Sequence, residues 1–293
     1  MAANQITTQG AVVITGASTG IGEACALHLD KLGFQVFAGV RKAMDGEALK
    51  QKASHQLTPI LIDVTDSTSI KSAAEIVTKA VGEAGLAGLI NNAGIAVTGP
   101  LEFLPVVDLR EQFEVNVIGQ IAVIQAFLPL LRKKPGRIVN LGSISGKLAL
   151  PYLGPYAASK FALEALTDSL RVELRPWGIR VSMIEPGNIA TPIWEKSKVA
   201  TEARMKRLPP QAQDLYGSAM AAMLKAADKM SKAAISPDKV AQAVAHALMA
   251  KRPKIRYPIR RNAKIIPTVI HWFPNSLRDW VIRKQFSCRD RSL

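Results

Sequence analysis

Ala11-Val12-Val13-Ile14-Thr15-Gly16-Ala17-Ser18-Thr19-Gly20-Ile21-Gly22 decides the fold. Four small or β-branched apolar residues form a strand-sized run, and a glycine-rich turn follows at once. An amphipathic pattern then extends over 22–32. Strand, tight turn and helix in that order form the first half of a βαβ unit. Glycines let the chain turn sharply and let backbone N–H groups approach a pyrophosphate, and the helix start adds its positive end. Such a turn is common in itself; its place in the first strand–helix unit gives it meaning.

Working outward, strand-like runs recur at 34–40, 58–62, 86–90, 136–141 and 179–184. Helical patterns lie between them at 67–82, 109–131 and 156–174. Six strands separated by helices predict an α/β fold, a doubly wound Rossmann-type parallel sheet covered on both faces. Ligands in such sheets bind beyond the carboxyl ends of the strands. The stretch 194–236 breaks the rhythm. It is rich in Ala, Met and Lys and reads as one or two mobile helices. A helix over 237–249 follows, with Ser236 as N-cap and Pro237 in the first turn, and 256–259 reads as a last short strand. Without a repeat or a Gly/Ser linker, one domain is expected over 1–293: a core at 10–192, a helical substrate-loop insertion at 193–236 and a basic C-terminal segment at 251–293.

The second strand ends Ala38-Gly39-Val40-Arg41-Lys42. An acidic residue there would bind a ribose 2′-hydroxyl; two cations stand in its place. Arg41 suits a 2′-phosphate by bidentate hydrogen bonding, which favours NADP(H) over NAD(H); otherwise the two are an ordinary exposed basic pair. Asp45 lies too far past the strand to act as the missing acid. Ile62-Asp63-Val64 ends the third strand. Asn91-Asn92-Ala93-Gly94 ends the fourth, where small and amide side chains would line the adenine side and brace the central strand.

Tyr156-Ala157-Ala158-Ser159-Lys160 places a phenol and an ammonium on one helical face. A free tyrosine titrates at about 10, and a neighbouring cation lowers that value and makes the phenol a usable acid/base. Ser143, after a strand and just ahead of this helix, can hydrogen-bond a substrate oxygen; Ser145 nearby reads as a turn hydroxyl. Asn116 is a polar residue out of pattern in a helix, and its amide could hold a water that links Lys160 to solvent.

Taken together, Thr-Gly-x-x-x-Gly-x-Gly, Asn-Asn-Ala-Gly, a helical Asn, a Ser, Tyr-x-x-x-Lys and Pro186-Gly187, in this order from about Gly10 to Pro192, resemble the short-chain dehydrogenase/reductase family. The resemblance implies a catalytic tetrad of Asn116, Ser143, Tyr156 and Lys160. Tyr156 would donate the proton in reduction, Ser143 would position the carbonyl, and Lys160 would bind the nicotinamide ribose as well as tune the tyrosine. Cofactor contacts are implied for Gly16, Ser18, Thr19, Gly20, Ile21, Gly22, Arg41, Asp63, Val64, Asn91, Ala93, Gly94, Tyr156, Lys160, Pro186, Gly187, Ile189 and Thr191, with Thr191 on the carboxamide and Asp63 on the adenine. The family also implies a homodimer or homotetramer. The opening glycine spacing differs from that of extended, epimerase-type members, and enoyl reductases set their Tyr and Lys further apart.

For the substrate, Val97, Leu148, Leu150, Tyr152, Leu153, Ile189, Trp194, Met220 and Met223 are apolar pocket candidates, although several would equally serve a core or a subunit contact. A lipophilic ketone, aldehyde or secondary alcohol is favoured. The wording of 33–39 and 191–197 is similar to the steroid and retinol dehydrogenase branch. The competing function is a non-catalytic NADPH-binding protein that engages a membrane or a partner through its basic tail; the intact tetrad speaks against it.

The bulk numbers narrow the rest. Its 293 residues are 48% hydrophobic and 21% charged, a globular composition. Cys25 and Cys288 lie at opposite ends, so no disulfide framework is expected and a reducing, cytoplasmic setting fits. The four histidines show no metal-ligand spacing, and no metal is assigned. Residues 1–10 lack the pattern of a secretory signal, and no run reaches the roughly 18 to 20 uninterrupted apolar residues of a membrane span. Of the net charge of +15, residues 251–293 carry +10, from 12 Lys/Arg against 2 Asp/Glu. That segment reads as a solvated basic face, as a cover over the substrate cleft, or as a peripheral contact with an anionic membrane, where Ile265, Trp272 and Trp280 among basic residues would lie in the interface. Nucleic acid is not expected, because no binding motif accompanies the charge.

Overall fold

The computed structural model describes residues 9–232, 234–259 and 274–286. Its centre is a sheet of seven parallel strands in the order β3-β2-β1-β4-β5-β6-β7. The strands are β1 (Ala11–Ile14), β2 (Gln35–Val40), β3 (Leu57–Leu61), β4 (Leu86–Asn91), β5 (Arg137–Leu141), β6 (Arg180–Pro186) and β7 (Arg256–Ile259). All six strands read from the sequence are present, and 256–259 forms the seventh, paired with β6 from Met183↔Arg256 to Pro186↔Ile259.

Both faces of the sheet are buried, which is why the strands read as continuous apolar runs. Alternation sorts their side chains into two cores. Val12 and Ile14 face one layer, with Val36, Ile90, Val139 and Ile184, against α1 (Gly20–Lys31) and α9 (Asp238–Met249). Ala11 and Val13 face the other, with Phe37, Leu89 and Ile138, against α3 (Ser67–Val81) and α5 (Gly119–Lys133). Each fully buried Val, Leu, Ile or Phe contributes roughly 1.5–3 kcal/mol. A one-residue register slip would exchange the two cores, so the register is strongly specified.

Helix ends follow local chemistry. Asp66 caps α3 by accepting from the Thr68 N–H at 2.8 Å. α6 (Gly154–Glu173) begins with Pro155 in its first turn. At α9 the expected cap shifts by one residue: Pro237 holds the N-cap position, while Ser236 Oγ still accepts from the Asp238 N–H at 3.2 Å. The sequence gives no signal for α2 (Ala43–Lys50), which carries Asp45 in its first turn, away from the strand end.

The helix expected over 109–131 is longer and is broken in register. α4 (Val106–Phe113) runs through a π-helical turn at Glu114–Ile118 into α5. Together they form the one stretch among the described residues long and apolar enough to cross a bilayer, yet half of its most apolar window is buried in the fold. Buried Gln112, Asn116 and Gln120 sit along it.

The irregular stretch 194–236 holds two helices, α7 (Ile193–Met205) and α8 (Pro210–Lys232). In the basic tail, α10 (Asn275–Phe286) packs against α8, with Leu277 and Trp280 exposed. Ile265 and Trp272 of the expected interfacial stretch, and Cys288, lie outside the described residues. Cys25 is buried in α1 as a free thiol, its pKa pushed up to about 12 by burial.

Candidate active site

The strand order reverses at β1, whose neighbours β2 and β4 lead to opposite edges of the sheet. A crevice opens there beyond the carboxyl ends of the strands, where a ligand is expected in this architecture. The 15–22 turn lies in it. Gly16 and Gly20 have φ of +66° and +63°, the left-handed region that favours glycine. A Cβ at Gly22 would overlap the Gly16 carbonyl oxygen and the Asn92 amide. The turn therefore presents bare backbone at the start of α1, with Ser18, Thr19 and Ile21 between its glycines. This cradle suits a pyrophosphate.

Thr15 and Asn92 hold the turn. Thr15 Oγ1 accepts from the N–H groups of Asn92 and Ala93, both at 3.0 Å. Asn92 Nδ2 donates to the carbonyls of Thr15 and Gly16, both at 2.9 Å. Asn92 is one of the amides expected to brace the central strand, whereas the sequence assigns no role to Thr15. Its signal was position: it directly follows a buried strand and adjoins the turn.

Arg41 is exposed just past β2. Asp63 lies close enough for the guanidinium to act on its carboxyl. The Thr65 N–H and hydroxyl, at 2.9 and 2.7 Å, and the Arg41 charge together hold that carboxyl below the usual aspartate range. Val64 beside it is buried. Ala93 and Gly94 follow β4; Pro186 ends β6 and Gly187 follows it. Thr191 touches the turn: a Cβ on Gly20 would lie 3.1 Å from its side chain. Ile189 is buried and pairs with Ile235 in an isolated parallel bridge.

Asn91 stands apart from these. Its amide nitrogen donates to Asn140 Oδ1 at 3.1 Å, and Asn140 in turn donates to Thr167 at 2.9 Å. Its side chain braces β4 against β5 and α6, so only its backbone faces the crevice end of the strand.

β5 and α6 supply the reactive side chains. The Ser143 hydroxyl accepts from the Ser145 N–H at 3.1 Å and lies close enough to the Tyr156 phenol to favour its ionised form. Lys160 is buried, with Nζ 5.9 Å from the centroid of the Tyr156 ring, and donates to the Leu141 carbonyl at 2.7 Å. The sequence led us to expect the lysine to lower the tyrosine pKa. Instead burial raises the phenol, and the opposing pull comes from Ser143. Burial also brings Lys160 down to about 8; a cation removed from water loses solvation, and its charged form is disfavoured.

That burial has a measurable consequence. Below about pH 8 the folded protein holds a buried cation at a cost of about 3 kcal/mol relative to a solvated lysine. Between pH 8 and 10.5 the unfolded chain binds the extra proton, so the cost fades as pH rises. Lys160→Met should therefore raise the melting temperature of the cofactor-free protein at neutral pH, after about 1 kcal/mol is lost with the Leu141 hydrogen bond. The advantage should shrink toward pH 10. Melts showing equal destabilisation at both pH values would refute this.

Asn116 is buried, and its amide is committed. Oδ1 accepts from the Ile95 N–H at 2.9 Å, and Nδ2 donates to the Ile95 carbonyl at 3.0 Å and to Ser159 Oγ at 3.1 Å. The amide expected to hold a water instead fixes the chain after Gly94. Gln112 does the same one turn away, accepting from the Val97 N–H at 2.7 Å and donating to the Ile95 carbonyl at 3.0 Å. Gln120 donates to the Ala93 carbonyl. Ser159 donates to the Tyr156 carbonyl at 2.7 Å and joins this set to α6. Gln112, Asn116 and Gln120 recur every four residues along an apolar helix; the sequence reading flagged only the middle one.

Of the pocket candidates, Val97, Ile189, Met220 and Met223 are buried, and Leu148, Leu150, Tyr152 and Leu153 are half-buried near Ser143 and the start of α6. The side chain of Trp194 lies outside the described residues. Tyr152 has a positive φ of 65° and its ring stacks edge-on with Tyr216 of α8, which also meets Phe103. Apolar and aromatic groups thus occupy the segment that joins Ser143 to Tyr156. Among the described residues, no cluster of three or more His, Cys, Asp or Glu is arranged to hold a metal.

Comparison with known proteins agrees with this geometry. The family model for short chain dehydrogenase matches residues 10–202. Human retinol dehydrogenase 5 is 40% identical over 283 residues, covering 93% of this chain and 89% of its own. The NADPH-dependent 3-dehydrocapnine reductase of Ornithobacterium rhinotracheale is 36% identical over 278 residues, covering 93% and 95%. The structure of a short chain dehydrogenase from Burkholderia cenocepacia J2315 in complex with NADP superposes with a TM-score of 0.67 at 26% identity, covering 96% of this chain and 98% of that one. The chain belongs to the short-chain dehydrogenase family and is an oxidoreductase acting on CH–OH and C=O groups.

Proposed function

We propose that the protein transfers a hydride between NADP(H) and a lipophilic ketone, aldehyde or secondary alcohol of steroid or retinoid type, with Tyr156 as its acid/base. The observation that carries this reading is the meeting of the Tyr156 phenol with the Ser143 hydroxyl beside buried Lys160. In the reductive direction the tyrosine gives its proton to the carbonyl oxygen, which Ser143 holds. Burial keeps the phenol protonated at neutral pH, so the proton is in place. Lys160 would hold the nicotinamide ribose. Asn116 acts by fixing Ile95 and Ser159.

A dinucleotide suits the crevice, since Gly16 and Gly20 leave bare backbone at the start of α1 and Gly22 lets that helix pack directly on the turn. The backbone of Gly16–Gly22 would hold the pyrophosphate, Asp63 and Val64 the adenine, Ala93 and Gly94 the adjoining ribose, and Pro186, Gly187, Ile189 and Thr191 the nicotinamide end. When bound, the nicotinamide supplies or accepts the hydride. The absence of an acid after β2 and the exposed Arg41 in its place support NADP(H), as does the cofactor named for the reductase from Ornithobacterium rhinotracheale. The apolar groups around Tyr152 support a lipophilic substrate, as does the similarity to a retinol dehydrogenase.

The test is turnover of NADPH by purified protein against a panel of hydrophobic ketones and aldehydes, with charged and sugar carbonyls as controls. Turnover confined to the hydrophobic members is expected. Turnover of the polar members alone, or none by any carbonyl or by the matching alcohols with NADP, would reject the reading.

A further inference from the structure

Behind the catalytic helix lies a second set of ionised groups. Glu164 stands on α6 four residues after Lys160, and so on the same side of the helix. Glu185 is the penultimate residue of β6, immediately before Pro186. Both are buried, at 5% and 8% exposure. Lys147, four residues after Ser143, reaches Glu164 Oε2 at 2.8 Å and Glu185 Oε1 at 3.9 Å. Arg256, at the start of β7, donates to Glu164 Oε2 through Nε and Nη2 at 3.0 and 2.9 Å, and its Nε lies 3.3 Å from Glu185 Oε1. Arg256 also donates to Asp168 at 2.7 Å, which Arg171 meets at 3.3 Å. Every element packed at this point sends a charged group into the cluster: α6 with Glu164, Asp168 and Arg171, the serine loop with Lys147, β7 with Arg256 and β6 with Glu185.

The two glutamates differ. Glu164 Oε2 takes three short charged hydrogen bonds. Glu164 Oε1 and Glu185 Oε1 are both buried without one, and the cations near Glu185 lie too far or off line. The two carboxyls are close enough to share a proton, and burial with the adjacent Glu164 pushes the Glu185 carboxyl up to about 7. Ionising Glu185 would set two buried carboxylates side by side and draw Lys147 away from Glu164. Lys147 is the next residue after the turn that Ser143 opens, so that movement reaches the serine.

Resting on the functional reading above, we propose that Glu185 is a positioning residue for the reaction, setting the Ser143–Lys147 loop against the helix that carries Tyr156 and Lys160 through its contacts with Glu164, Lys147 and Arg256. With Glu185 protonated, Lys147 stays on Glu164 and the serine loop is held to α6. With Glu185 ionised, the loop loosens from α6 and the Ser143–Tyr156 contact lengthens.

The test compares kcat of wild type and Glu185→Gln across about pH 5.5 to 8.5, with saturating NADPH and the best carbonyl found. Glutamine keeps the shape and cannot ionise. The ratio of wild-type to variant kcat should fall roughly 3- to 10-fold through a single step near neutral pH, with the NADPH Kd the same in both proteins. Lys147→Met serves as the second variant and does not depend on glutamine being tolerated. Removing that cation removes the link between Glu185 and the serine loop, so the step in the kcat profile should disappear. A ratio that stays constant with pH, or a step that Lys147→Met leaves in place, overturns the positioning role while turnover itself stands. Absence of turnover in wild type rejects the functional reading and this role with it.

Discussion

Tyr156→Phe is expected to lower kcat by roughly 10²- to 10⁴-fold and to leave NADPH binding nearly as it was. The substitution removes one oxygen from a half-buried ring and keeps the ring's packing on α6. What disappears is the phenol beside Ser143. The carbonyl oxygen then gains its proton from solvent, and the gain from a positioned acid is forfeited. Steady-state rates with the best substrate, beside a fluorescence titration of NADPH, measure the two quantities independently. Activity kept within a few-fold of wild type would mean that another group carries the proton. The pH profile follows from the direction of the tyrosine shift. Because burial raises the phenol above its ordinary value, alcohol oxidation, which needs the phenolate, should keep rising with pH beyond neutrality. Apart from any contribution of Glu185, carbonyl reduction should hold level there.

Arg41→Ala is expected to weaken NADPH binding about 10- to 100-fold and leave NADH binding unchanged. A guanidinium that pairs with a phosphate through charge-assisted hydrogen bonds contributes roughly 1.5–3 kcal/mol. Arg41 sits past β2, exposed, with Asp63 as a nearby anion. The free arginine therefore shares its charge with a carboxylate and with water, which places the expected loss below that of a fully buried pair. Titrating both cofactors against wild type and variant gives the ratio directly. Equal tightness for NADH and NADPH in wild type would reduce Arg41 to a surface cation and make NAD-dependent oxidation of lipophilic alcohols the better assay. Arg41→Lys should recover only part of the preference, since an ammonium lacks the two-pronged geometry.

The order of elements was legible because both faces of each strand are buried. Runs such as Ala11–Ile14 and residues 86–90 are then apolar regardless of neighbours, and the glycine turn after β1 marks where a helix must begin close to a strand. α2 was not legible, because Ala43–Lys50 is short and mostly exposed and has no strong apolar stripe. The π-helical turn at Glu114–Ile118 was invisible for a different reason. It shifts the helix by one residue, which no pattern of residue types records, and it is stabilised by bonds to Ile95 that come from elsewhere in the chain.

The sequence by itself determined the parallel sheet, the cradle at Gly16–Gly22 and the pairing of Tyr156 with Lys160, since each depends on residues close together along the chain. Only the tertiary structure decided what those residues experience. Asn116 holds Ile95 and Ser159, Asn91 spends its side chain on Asn140, and burial raises Tyr156 while it lowers Lys160. Glu164, Glu185, Lys147 and Arg256 meet although the chain separates the first and last by 92 positions. Hydrogen bonds and desolvation depend on which segments the fold brings together and on how much water it excludes, and neither quantity is written in local spacing.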